Sequence, residues 1–302
     1  MVASVSPILT NPSIRSSQIG TGRWLPNGRG DDRMPRLARI AVFPIKSLDP
    51  VERDAARIVA NGGLEGDREY AIVDGDDRYV NGKRTAAVHR LRASFDSDGT
   101  GVTLRRENGD DPRAFDLAAD RESVEAWLGD HFDQPVRLQR ERAGGHPDDT
   151  ALSGPTVIST GTLREVASWF PDLDVEGLRL RFRANLEIDG VPPFWEDRLV
   201  ADHDHCVAFR IGDVTIRGVN PCQRCVVPTR DPHTSDVHEA FQRVFVERRE
   251  ATFPEWADPA RFGHYFRLMI NTQVPEPEWG STIEVGDDIE ILGERPLESS
   301  GT

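Results

Sequence analysis

The chain has 302 residues, 51 of them acidic against 37 basic, for a formal net charge of −14 and an isoelectric point near 5.1. That balance argues against a polyanion such as nucleic acid, or an anionic lipid surface, as partner. No apolar run approaches the roughly 20 residues of a membrane span, and three cysteines make no disulfide framework, so a reducing cytoplasm is the expected compartment.

Residues 1–34 lack periodicity, carry more basic than acidic residues and are punctuated by Pro, Ser and Gly. This predicts a disordered extension, with Met34 as the expected native start. Short strands dominate from 36 to about 140. One is predicted over 37–43, before the turn Pro44-Ile-Lys-Ser47, and another over 57–60, running into Asn61-Gly-Gly-Leu-Glu-Gly-Asp67. A strand over 70–73 turns at Asp74-Gly75 and returns over 78–80. A helix is predicted near 122–132, with Val124, Trp127 and Leu128 on one face.

The polar link Gly144-Gly-His-Pro-Asp-Asp149 separates the halves, giving expected domains over 35–143 and 148–294 and a tail over 295–302. Ser159 or Thr160 is placed to cap a helix running through Phe170. Residues 178–189 alternate without a break, Leu178 to Ile188 apolar and Arg179 to Glu187 polar, which predicts one half-buried strand. Hairpins are predicted for 207–211 with 214–216, and about Gly286-Asp287 within 283–291. Between them Ser235 is expected to cap an amphipathic helix with Val237, Phe241, Val244 and Phe245 inward. Many short strands and few helices suggest a barrel-like β architecture.

Chemistry-bearing residues are few. Two of the three cysteines lie in Asn220-Pro-Cys-Gln-Arg-Cys225. A thiolate is a nucleophile or a soft metal ligand, and a neighbouring guanidinium favours it and can grip a phosphate. A zinc site needs two more ligands, and the other cysteine is Cys206, in Asp202-His-Asp-His-Cys206. A thioredoxin-type dithiol should open a helix, which Val226-Val227-Pro228 does not favour. Two inert buried cysteines are the remaining alternative.

Only Lys46 and Lys83 are lysine among the basic residues, a composition expected of a protein working in strong salt. Against it Lys46 is a candidate cationic anchor as well as an ordinary turn residue. Arg68 beside Asp67 reads equally as a surface pair, Arg183 with Arg179 and Arg181 as the solvent face of a strand, and Asn185 as a sheet-edge residue. His203 and His205 read as a solvated turn, and His264 and Tyr265 as packing. No catalytic triad, P-loop or dinucleotide fingerprint is present.

Five motifs occur in an order that resembles the MOSC family, whose members carry the molybdenum cofactor sulfurase C-terminal domain behind an N-terminal β-barrel partner. They are Phe43-Pro-Ile-Lys-Ser47, Gly66-Asp-Arg68, Phe182-Arg-Ala-Asn185, Asn220-Pro-Cys-Gln-Arg-Cys225 with Thr229 and Asp231-Pro232, and Arg261-Phe-Gly-His-Tyr-Phe266. The likeness spans about 36–293 and is nearer to the amidoxime-reducing branch. It implies a mixed α+β, predominantly β fold, with a MOSC-type barrel like that of pyruvate kinase and a smaller N-terminal β-barrel domain.

The resemblance also implies that Cys225 is the thiolate ligand of a molybdenum held by a pterin dithiolene. Cofactor contacts carry over to Lys46, Ser47, Arg68, Ser153, Arg183, Asn185, Gln223 and Arg224, with Gln223 standing where the family often has serine. Soft thiolate suits a metal already bound to sulfur, and a terminal phosphate and polar pterin rim suit lysine and arginine donors. The implied activity is molybdenum-dependent reduction of small N-hydroxylated substrates, with electrons from an external ferredoxin or flavoprotein, since no cysteine set for an iron–sulfur cluster is present. The alternative is a cofactor or sulfur carrier holding a persulfide on Cys225.

Overall fold

The computed structural model describes residues 34–96, 99–107, 109 and 112–297. All of the expected disordered extension but Met34, and most of the expected tail, lie outside them. The first half contributes β1 (Arg36–Val42), β2 (Val51–Arg53), β3 (Ala55–Arg57), β4 (Tyr70–Val73), β5 (Leu91–Phe95), β6 (Gly101–Arg106), β7 (Arg113–Asp116), α1 (Arg121–Phe132) and β8 (Arg137–Arg140). The second begins with β9 (Val157–Ser159), α2 (Thr160–Ser168), α3 (Val175–Phe182), β10 (Leu186–Asp189), β11 (His205–Ile211) and β12 (Val214–Gln223). It continues with α4 (Phe241–Ala251), α5 (Pro259–Phe262), β13 (Arg267–Gln273), β14 (Thr282–Glu284) and β15 (Ile289–Pro296). The protein is predominantly β, as expected. No helix among the described residues is long and apolar enough to cross a membrane.

Eight strands form the main sheet in the order β15-β11-β12-β13-β9-β10-β1-β2. β1 is antiparallel to β10, with Ile40 opposite Leu186, whereas β9 and β10 run parallel. Arg36 also bridges to Asp288, and the Leu37 and Ile289 amides donate to Asp287 and Pro35 carbonyls at 2.9 Å. The sheet thus curls until β1 reaches the strand at its far edge. Three shorter pairings complete the β structure, β14-β3, β4-β8 and β5-β6-β7.

Apolar burial divides into three clusters. Leu37, Ile40, Phe209, Ile216 and Ile270 pack inside the curled sheet. Ile45, Ile72, Leu104, Trp127, Leu128 and Leu138 fill the first half. Phe182, Phe241, Phe245 and Phe266 bury the inner faces of α3 and α4 with β13. Each such side chain contributes about 1.5–3 kcal/mol of burial.

Several predicted elements stand where expected. α1 buries Val124, Trp127 and Leu128. Ser159, not Thr160, caps α2, accepting the Thr162 amide at 3.0 Å. The β11–β12 hairpin turns at Gly212-Asp213. Five expectations are corrected. The strand expected over 57–60 lies earlier, as β3, and that over 78–80 is only an isolated bridge of Tyr79 to Val73. The single strand over 178–189 is instead α3, a left-handed residue at Arg183 and then β10. Asp174 caps α3 by accepting the Gly177 amide at 2.7 Å. The alternation of Leu and Arg hides a helical face of Leu178, Arg181 and Phe182. Ser235 caps nothing, lying in a loop at φ 71; α4 starts six residues later with Phe241 and Phe245 buried and Val237 exposed. Residues 283–291 are no hairpin, because β14 pairs with β3 and β15 with β11.

Candidate functional site

Turns from both halves meet around a cavity of about 330 Å³. The first is the Pro44–Ser47 turn, pinned where the Lys46 amide donates to the Tyr70 carbonyl at 2.7 Å. Lys46 is buried, and its ammonium donates to the His146 carbonyl and to Asp148, both at 2.7 Å, while standing 5.0 Å over the Tyr79 ring. Burial pushes its pKa below the ordinary lysine value although Asp148 opposes the shift. Burial pushes Asp148 up, but Lys46, then Lys83 and Arg68, pull it down to about 2.

The second turn follows Gly66 at φ 78 and carries Arg68 at φ 53, whose amide donates to the Phe43 carbonyl at 2.8 Å. Asp67 accepts the Phe43 amide at 2.9 Å and pairs with Arg68. Arg183 ends α3 in the left-handed conformation and donates to the Leu48 carbonyl at 2.6 Å. Its guanidinium lies 4.1 Å from the Phe43 ring centre and that of Arg68 lies 5.8 Å away, so one aromatic ring supports two cations. Burial, followed by the Arg68 charge, lowers the Arg183 pKa to about 10.

The thiol loop closes the site. β12 continues past its hairpin to Gln223, where a break in register against β13 releases the chain into the Cys225 loop. Cys222 and Cys225 both line the cavity. Arg224 donates to the Cys222 sulfur at 3.1 Å and to the Phe182 carbonyl at 3.0 Å. After Cys225 the chain makes a short 3-10 turn at Val227–Thr229. Arg181 holds that turn, donating to the carbonyls of Pro228, at 3.1 Å, and Arg230, and pairing with Asp231 at 3.4 Å.

Lys46, Ser47, Arg68, Ser153, Arg183, Gln223, Arg224 and Cys225 therefore line one cavity. Ser153 spends its hydroxyl on the Asn61 carbonyl. Asn185 is not in the lining. It is buried, and its amide is committed to Ala41, Asp67 and Thr156, tying β1 and β9 to the Arg68 turn. Arg181 is no solvent-face residue, being 3% exposed. Glu187 is buried too, accepting from Arg179 at 2.6 and 2.8 Å. Arg181 and Met269 belong to no motif of the sequence, yet Arg181 holds the thiol loop and Met269 lines the cavity at φ 72. The helical spacing of Leu178, Arg181 and Phe182 was the available signal for Arg181; Met269 left none, because strand register breaks are not written in composition. His203 and His205 join no metal cluster: no group of three or more His, Cys, Asp or Glu able to hold an ion occurs among the described residues.

This donor set fits a molybdenum–pterin group. Two thiols stand among six cationic residues, Lys46, Arg68, Lys83, Arg92, Arg183 and Arg224, against three carboxylates, Asp49, Asp148 and Asp149. With so few protein donors gathered, a metal held here must bring most of its own ligands. The Arg224 Nε is buried with no partner, and Lys46 and Arg183 carry charge against burial, so an anionic group in the cavity relieves all three.

Fold and cavity together define a predominantly β protein in which two thiols and six cationic side chains line one cavity. The chain belongs to the MOSC domain family: residues 34–143 match the MOSC N-terminal beta barrel domain and residues 156–290 the MOSC domain. It is 24% identical to a molybdenum cofactor sulfurase of Caenorhabditis briggsae over 68% of this chain and 30% of that protein. It is also 24% identical to a molybdenum cofactor sulfurase of Drosophila grimshawi, over 87% of this chain and 36% of that protein. The chain thus spans about a third of those relatives. With mitochondrial amidoxime-reducing component 1 of Danio rerio it shares 22% identity over 83% of this chain and 86% of that protein.

Proposed function

We propose that this protein is a molybdenum-cofactor-binding oxidoreductase that reduces small N-hydroxylated substrates with electrons from an external ferredoxin or flavoprotein. The observation that carries the reading is the cavity that joins the Cys225 thiol to cations from both halves of the chain. The relative named as an amidoxime-reducing component supports it further, since the match covers most of both chains. The sulfurases match over about a third of their length.

In this reading Cys225 supplies the protein's thiolate ligand, Lys46, Ser47 and Arg68 hold the phosphate end, and Arg183, Gln223 and Arg224 line the pterin rim. When bound, the molybdenum–pterin group supplies a two-electron redox couple. Overall the substrate N–O bond breaks, two electrons and two protons are taken up, and the oxygen leaves as water. Arg181 and Arg224 keep the thiol loop in place, and the apolar wall of Leu180, Phe182 and Val227 limits water.

Metal analysis on protein from a cofactor-competent host tests the reading, together with benzamidoxime reduction by a dithionite-reduced dye. Stoichiometric molybdenum, turnover, and loss of both in Cys225→Ala are expected. A persulfide on Cys225 without tightly bound molybdenum overturns the reading in favour of a sulfur carrier.

A further inference from the structure

One wall of the cavity is lined by Asn81, Gly82, Lys83, Val88, His89 and Arg92, from a segment, residues 78–95, that holds five basic residues and no acidic one in a chain of net charge −14. Four of the five are committed. Arg78 pairs with Asp74 and Asp76, and Arg84 holds the Tyr79 carbonyl at 3.2 Å. Arg90 donates to the Thr234 carbonyl at 3.2 Å, and Arg92 is bound to Asp49, Glu107 and the Pro232 carbonyl.

Lys83 is the exception. Its side chain is 47% exposed, and among the described residues its ammonium meets only Asp148, at 4.0 Å. That carboxylate is already engaged by Lys46 at 2.7 Å. The backbone beneath Lys83 is nevertheless fixed. Asn81 accepts the amides of Lys83 and Arg84 at 3.1 and 3.2 Å, and Gly82 is pressed against His89 and Val227. A Cβ on Gly82 would stand 2.8 Å from the His89 ring and 3.5 Å from Val227, two residues beyond Cys225. A firm turn therefore presents an uncommitted ammonium on the cavity wall, between the thiol loop and the Lys46–Asp148 pair.

In the proposed function Lys46, Arg68, Arg183 and Arg224 hold the cofactor, and Lys83 has no task. Resting on that reading, we propose that Lys83 selects among N-hydroxylated substrates for those that carry an anionic group, a carboxylate or phosphate remote from the reacting nitrogen. The reacting end lies toward Cys225, and the anionic end reaches the ammonium at the mouth. A half-exposed contact of this kind favours an anionic over a neutral substrate by roughly three- to fivefold, and the preference weakens as salt screens it.

The test compares neutral benzamidoxime with its 4-carboxylate and 4-trimethylammonium analogues on molybdenum-loaded protein. The ratio of kcat/KM for the carboxylate over the neutral compound should exceed one, fall toward one in Lys83→Gln through KM, and return in Lys83→Arg. The cationic analogue should be the poorest substrate. Calorimetric titration with benzoate and benzamide, which the reaction cannot consume, should show benzoate alone weakened by Lys83→Gln. Thermal melts check that both variants fold, and if the glutamine variant does not, loss of the carboxylate preference of the parent protein at high salt carries the test. Equal kcat/KM for all three probes, or a ratio untouched by Lys83→Gln, overturns this inference alone. Absence of molybdenum and of turnover with every probe overturns the functional reading and this inference with it.

Discussion

Replacing Arg181 by leucine removes the clasp between α3 and the loop that follows Cys225. The guanidinium is 3% exposed and donates to the carbonyls of Pro228 and Arg230, with a weaker pairing to Asp231 at 3.4 Å. Two carbonyl acceptors lose a charged donor, a loss of about 1.5–3 kcal/mol each. The Asp231 contribution is small, since that carboxylate is 38% exposed and water replaces the partner. Against these losses, leucine relieves the burial of a cation whose pKa is lowered mainly by desolvation. The net is about 3 kcal/mol, or roughly 6–12 °C in Tm for a chain of this size. Thermal unfolding measures it, and the alkylation rate of Cys225 in the folded protein reports whether the thiol loop has loosened. A Tm within about 2 °C of the parent, with unchanged alkylation, would refute the claim that α3 holds this loop.

Three other outcomes follow from the same contacts. Arg183→Asn keeps a residue that tolerates the left-handed conformation, so the fold should stay within about 2 kcal/mol while molybdenum content drops, as metal analysis will show. Glu196 is buried beside Asp197 and accepts from Thr162 at 3.0 Å. Burial and then the Asp197 charge raise its pKa from 4.5 to about 7, so the folded protein keeps a proton that the unfolded chain has lost. Stability should therefore fall as pH rises from about 4.5 to about 7, and denaturant titrations should find that Glu196→Gln removes on the order of 2 kcal/mol of that fall. Asp148 behaves oppositely, its folded pKa near 2 against 3.8, so its contribution is present above about pH 4 and lost toward pH 2. With its side chain 65% exposed, Asp148→Asn should flatten that acid limb by less than about 1 kcal/mol in the same titration.

Much of the site was legible because soft and cationic residues are scarce or oddly placed in this chain. Lys46 stood out as one of two lysines, and the Cys222 to Cys225 stretch as two of three cysteines. Strands and helices with one clean period were legible too, α1 and the β11–β12 hairpin among them. Residues 178–189 misled because alternate Leu and Arg satisfy a two-residue period, whereas burial of Leu178, Arg181 and Phe182 obeys the helical one. Period alone could not decide, because Arg181 counts as polar in any pattern but is buried by carbonyls from a loop 47 to 49 positions away. Asn185 was misplaced for a related reason: a buried amide and a ligand-binding amide look identical until the partners are known.

The left-handed backbone conformations of this chain concentrate around the proposed site. Eight described non-glycine residues have positive φ, and four of them, Ser47, Arg68, Arg183 and Met269, line the cavity that Cys222 and Cys225 also line. Each such residue costs of order 1–3 kcal/mol and persists only where its surroundings over-determine it. Those surroundings cross between the halves of the chain: Arg183 to Leu48, Lys46 to Asp148, and Asn185 to both Ala41 and Asp67. Local structure accounts for two of these conformations, since Arg183 is the left-handed C-cap of α3 and Met269 lies where β13 breaks register with β12. What the four residues share is that they line the cavity, three of them as cations or a hydroxyl, so these local turns and caps together set its shape.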